Sequence, residues 1–218
     1  MLKNTMTRLL CAAALAGAPT LGHALSGITD TANDFLATFA GSSSSADLDV
    51  ISATVLYDST TDLFKLTATM SGAIGSTPTG FYVWGVNRGA GTAGFAANGI
   101  DGVRFDRVVF LRPDGTGAVG GVGNLPAGSV TIAGNTITGV VSGSLLPSTG
   151  FGKIDYTWNL WPRDGAFSGF AAISDFAPDN ANFTSTPGVV AVPEPGSYAL
   201  MLAGLGAVGW AARRKLQR

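Results

Sequence analysis

The chain has one cysteine and one histidine in 218 residues, Cys11 and His23, both near its start. A lone cysteine forms no intrachain disulfide, so the fold must rest on its own hydrophobic core. Beyond position 24 there is no His or Cys, which excludes Ser-His-Asp and Cys-His catalysis there. Zinc sites of the usual nitrogen and sulfur kind are excluded with them. Charged residues make up 12%, about half the usual share. Glutamate is scarcest: of 14 acidic residues only Glu194 is not an aspartate. Glu suits helices, whereas Asp suits turns, where its short carboxylate accepts hydrogen bonds from nearby amides. With 31 glycines, about twice the average frequency, the composition favours strands and loops.

The charges that exist are segregated. Six of the 13 basic residues sit at the ends: Lys3, Arg8, Arg213, Arg214, Lys215 and Arg218. Residues 25–212 hold the other seven against all 14 acids, a net charge of −7. An acidic domain repels phosphate backbones, so nucleic acid is not an expected partner.

Lys3 and Arg8 precede the apolar stretch Leu9–Ala18, and Gly22-His23-Ala24 supplies small residues at a cleavage position. This order predicts a secretory signal peptide over 1–24, cut by signal peptidase after Ala24. Ten apolar residues are too few to span a bilayer. Arg8-Leu9-Leu10 lacks the small residue that a lipid-modified Cys11 would need before it.

The other end carries a second address over 191–218. Pro193-Glu194-Pro195 is followed by the apolar run Ser197–Ala212 and the basic cluster Arg213, Arg214 and Lys215. The prolines break any helix upstream and let a new one begin after them. Sixteen helical residues reach about 24 Å, slightly short of a ~30 Å hydrocarbon core. The spacing predicts a single transmembrane helix over 197–212, with Trp210 at the interface and the basic cluster on the cytoplasmic side as a stop-transfer signal. Glycines at 204, 206 and 209 keep it weakly apolar.

Triplet, short apolar helix and basic end together resemble the PEP-CTERM sorting signal. The resemblance implies an exported protein of a Gram-negative bacterium. It also implies inner-membrane insertion in transit, processing by the transpeptidase exosortase, and delivery to the cell surface or extracellular matrix. Tyr82-Val83-Trp84-Gly85, Arg112-Pro113-Asp114-Gly115-Thr116-Gly117 and Trp158-Asn159-Leu160-Trp161-Pro162 resemble the β-rich ectodomains of other PEP-CTERM proteins, a likeness that carries no activity.

Residues 25–190 read as one β-rich extracellular domain. Apolar residues alternate over 51–57 (Ile51, Ala53, Val55, Tyr57), 64–70 (Phe64, Leu66, Ala68, Met70) and 154–160 (Ile154, Tyr156, Trp158, Leu160), the period of half-buried strands. Further strands are expected at 80–88, 104–111, 129–133 and 136–141. Asp58–Asp62, Pro113-Asp114-Gly115 and Gly134-Asn135 supply turns between them. Residues 30–40 suit a short helix or an edge strand. The fold class is all-β, a sandwich or jelly roll.

Two matches to the dinucleotide-loop spacing, Gly89-Gly91-Gly94 and Gly115-Gly117-Gly120, lack the helix that would follow. Asp47, Asp49 and the loop Asp175, Asp179, Asn180, Asn182 offer hard oxygen ligands to calcium, the alternative being ordinary turn-capping. Trp158 falls on the apolar face of its strand. Trp161 falls on the opposite face and, with Tyr82, offers a stacking surface for a sugar ring. The expected role is a non-enzymatic surface or matrix component. The alternatives are a carbohydrate-binding module, calcium-dependent or not, that meets extracellular polysaccharide, and an Asp-based glycoside hydrolase.

Overall fold

The computed structural model describes residues 27–190. The expected signal peptide with Ala24, the Pro193-Glu194-Pro195 triplet, the helix over 197–212 and the cluster Arg213, Arg214 and Lys215 lie outside the described residues. Among the described residues no helix is long and apolar enough to cross a membrane.

Among the described residues twelve strands build two sheets: β1 (Ile28–Thr29), β2 (Val50–Asp58), β3 (Leu63–Met70), β4 (Gly80–Asn87), β5 (Arg107–Leu111), β6 (Gly117–Val119), β7 (Gly123–Asn124), β8 (Val130–Ala133), β9 (Thr136–Ser142), β10 (Thr157–Asp164), β11 (Phe183–Thr184) and β12 (Thr186–Pro187). The first sheet runs β1-β2-β3-β9-β8, with β12 also against β2, and the second runs β11-β10-β4-β5-β6-β7. All pairings are antiparallel except β12 on β2. The expected all-β sandwich is what forms.

Local turn chemistry sets three hairpins. Gly134 and Asn135 close β8 onto β9 as a two-residue loop, with Ala133 opposite Thr136 and Gly134 at φ 62°. Gly115, at φ 81°, ends the Pro113-Asp114-Gly115 turn, where Asp114 accepts from Thr116 N. Asp58 accepts from Thr60 N at the β2–β3 turn.

Four expectations need correction. A bulge between Val50 and Ser52 breaks the alternation of β2, so Val50 is buried and Ile51 only half-buried. Lys153–Asp155 forms a 3₁₀ turn, so Ile154 is exposed and its strand begins at Thr157. The strand expected from 104 begins at Arg107. Residues 30–40 form neither helix nor strand. They run as an irregular strap, held by Leu36 N to Ser174 O at 2.8 Å and Ala40 N to Ala171 O at 2.9 Å.

The inner faces enclose a core of Val55, Phe64, Leu66, Met70, Trp84, Leu111, Ile137 and Trp158. A second core covers the outer face of the β10-containing sheet, with Val83, Val103, Trp161, Ile173 and Phe176 buried. Gly85 makes room there: a Cβ on it would run into the Trp161 ring. Gly85→Ala is therefore expected to cost about 1–3 kcal/mol by overpacking. Urea unfolding that returns an unchanged midpoint would show the ring to be loosely seated.

Candidate functional site

Sequence-distant aspartates meet beside the start of β2. Carboxylate oxygens of Asp30, Asp34 and Asp179 lie within 4.8 Å of one another, and so do those of Asp34, Asp49 and Asp175. Asp34 belongs to both groups. The strap brings Asp30 and Asp34, the turn Ala46–Leu48 that leads into β2 ends on Asp49, and the segment after the 3₁₀ turn Gly169–Ala172 brings Asp175 and Asp179.

The backbone fixes the deeper members. Asp175 Oδ2 accepts from Val50 N at 2.9 Å and its Oδ1 from Phe176 N at 2.6 Å. Both oxygens of Asp49 accept from Asn33 N at 3.0 Å, and Asn33 takes φ 65°, a conformation Asn tolerates better than most residues. Asp49 and Asp175 are 0% and 1% exposed. The outer members are less satisfied. Asp30 Oδ2 and Asp34 Oδ1 are shut from solvent and accept no hydrogen bond.

Among the described residues no Lys or Arg makes an ion pair with these five. The ion pairs among the described residues are Arg88–Asp106 at 2.8 Å and Lys153–Asp62 at 2.6 Å. Burial pushes the Asp175 carboxyl up to about 8, helped by Asp30 and Asp34 and opposed by the Val50 amide. Burial likewise lifts Asp30 to about 6, with Asp34, Asp179 and Asp49 adding to it. Asp34 is raised by burial and by Asp179 and Asp49. Uncompensated carboxylates crowded in this way suit a hard divalent cation. Calcium binds oxygen ligands at 2.3–2.6 Å, so two ligands of one ion stand at most about 5 Å apart, which both groups satisfy.

The sequence-derived ligand set needs amendment. Asp175 and Asp179 belong to the cluster. Asn180 does not: its Oδ1 accepts from Gly102 N at 2.7 Å and its Nδ2 donates to Asp101 at 3.2 Å. Asn182 is tied to Arg104 and Thr157. Asp47 points away, accepting from Thr77 N at 2.7 Å. Asp30 and Asp34 were missed because the strap has no period to place them. A pair of aspartates four apart in an otherwise uncharged run was the available signal.

The stacking surface is overturned. Tyr82 is 0% and Trp161 2% exposed, so neither can meet a sugar. Tyr82 donates to Asp47 O at 2.9 Å from within the main core. Trp161 packs on Phe105 at 5.0 Å and Phe95 at 5.1 Å, because the loops around Phe95–Phe105 and Phe170–Phe176 fold over a face that strand alternation alone leaves open. The dinucleotide-type glycines serve turns. A three-residue 3₁₀ turn, Ala96–Asn98, follows Gly94, and Gly117 opens the short β6 while Gly120 follows it.

Residues 191–215 match the family model of the PEP-CTERM protein-sorting motif. The motif implies export, membrane-anchored sorting to the cell surface and processing by exosortase. It begins one residue beyond Val190, whose amide is held by Asp58 Oδ2 at 3.1 Å. No curated protein matches the chain.

Proposed function

We propose that the chain is a non-enzymatic component of the cell surface or extracellular matrix, delivered as a folded β-sandwich whose strap is locked by calcium. The observation that carries the delivery is the sorting motif beginning where the sandwich ends. The crowded carboxylates support the calcium lock, above all the two oxygens that are buried without partners.

The chemistry favours an ion over a sugar at this cluster. A glycosidase needs its carboxyl pair open to substrate, whereas Asp49 and Asp175 are closed to solvent. The carbohydrate-binding alternative loses Tyr82 and Trp161 as stacking residues and keeps only its calcium. Interaction or scaffolding by the exposed surface of the sandwich is the remaining role.

Intact-mass analysis of protein released from the cell surface tests the delivery. The expected mass begins at Leu25 and lacks the basic end through Arg218. A full-length mass that includes Arg218 overturns the processing.

A further inference from the structure

The point where the chain leaves the sandwich is not a neutral surface. Val190 is held by Asp58, the last residue of β2, and Gly188 N donates to Tyr57 O at 3.1 Å. The five-aspartate cluster lies at the other end of β2, where Val50 N meets Asp175. Eight strand steps separate these ends, about 26 Å. The domain therefore has an exit pole and an acid pole.

The exit pole is weakly charged and dotted with apolar side chains. Asp62 is neutralised by Lys153, whose Nζ lies 2.6 and 2.7 Å from its oxygens. Asp58 is spent on backbone amides, which leaves Asp155 as the free acid of the neighbouring turn. Around them Val189 is 84%, Phe151 38% and Ile154 37% exposed. Beside Leu63 opens a groove of 590 Å³, lined by apolar residues such as Pro126, Val140 and Leu145 with small hydroxyls. Gly143 N donates to Asp62 O at 2.7 Å, which ties this groove to the same end.

Chain length decides what meets this pole. Only residues 191–196 separate Val190 from the apolar run that starts at Ser197. Six residues reach about 20 Å at full extension. Once that run enters a bilayer, the exit pole cannot leave the neighbourhood of the headgroups. A tether that short gives a high effective concentration, so weak apolar contacts suffice. An acid pole, by contrast, is repelled by anionic lipid.

We infer that the exit pole is a lipid-facing surface: during transit Phe151, Ile154, Val189 and the Leu63 groove rest on the bilayer interface, and the carboxylate pole points outward. This rests on the reading that the C-terminal run inserts. The orientation exposes the calcium ligands to the external medium while the domain is still anchored.

The test uses the chain from residue 25 to 218, which has no cysteine, reconstituted into phosphatidylcholine vesicles carrying a lipid-borne quencher. One polarity-sensitive dye is attached through Ile154→Cys, and in a second protein through Ala32→Cys at the acid pole. The Ile154 label is expected to be quenched at least twofold more than the Ala32 label. Phe151→Asp with Val189→Asp should reduce that excess while the protein still floats with the vesicles. Equal quenching of both labels, with flotation intact, overturns the docking alone. A blue shift at Ile154 that grows with protein density and ignores the quencher assigns the surface to a second copy, and also overturns it. Failure to float overturns the insertion reading and the docking together.

Discussion

Stripping divalent cations from the purified domain is expected to lower its Tm by about 5–10 °C, and calcium to restore it. A ligand at a hundred times its Kd stabilises the native state by about 2.7 kcal/mol. For a domain of this size each kcal/mol moves Tm by about 2–4 °C. The effect belongs to five aspartates from three parts of the chain. Asp34→Asn, which touches both groups, should abolish the calcium response. Asp114→Asn, in the exposed β5–β6 turn, should leave it intact. A Tm that ignores calcium and chelator alike in the unsubstituted domain removes the metal site.

The metal-free domain should also respond to acid in an unusual direction. Asp175 has its carboxyl raised from an ordinary 3.8 to about 8 and Asp30 to about 6. Between these values the folded state binds more protons than the unfolded one, so stability falls as pH rises. The contribution is complete below about 3.8 and is lost as pH climbs through 6 and then 8. Asp34, Asp49 and Asp179 face the same space and add to the repulsion felt by Asp30. Cation binding reverses the preference, because it favours the charged carboxylates. The calcium-induced rise in Tm should therefore grow from pH 5 to pH 8. A rise that is flat across this range would place the cation elsewhere.

What the sequence made legible was local. Gly134-Asn135 and Pro113-Asp114-Gly115 specify their turns within four residues, and the alternation of Phe64, Leu66, Ala68 and Met70 marks a core face within eight. The cluster is not local. Asp175 reaches Val50 across 125 positions, and no spacing in the chain records that meeting. Asn180 looked equivalent to Asp179, yet the two sit in a turn that sends adjacent side chains apart, and only one of them points into the cluster. The sorting motif was legible for the opposite reason: its triplet, apolar run and basic end are contiguous and act through order along the chain.

Trp161 shows the same limit most sharply, and its removal should have the largest effect on stability. Strand alternation places it opposite Trp158, and a single sandwich leaves that face wet. The face is dry instead, because Phe95, Phe105, Phe170 and Phe176 arrive from segments without strand period and surround the indole. β10 is consequently buried on both faces, which is why Trp161 cannot serve as a binding platform. Trp161→Ala opens a cavity under two irregular loops that are held by isolated bridges, such as Thr92 to Phe105 and Arg163 to Ile173, rather than by a continuous ladder. The expected cost is about 3–5 kcal/mol, a large share of the roughly 5–15 kcal/mol that holds a domain together. Denaturant unfolding should show a lower midpoint, and hydrogen exchange should show residues 91–105 and 165–176 losing protection together. Trp161→Phe, which keeps an aromatic in the space, should recover most of the loss. If Trp161→Ala leaves the midpoint unchanged and binding to a soluble polysaccharide disappears instead, the second core is not what holds these loops, and the indole returns to being a ligand contact.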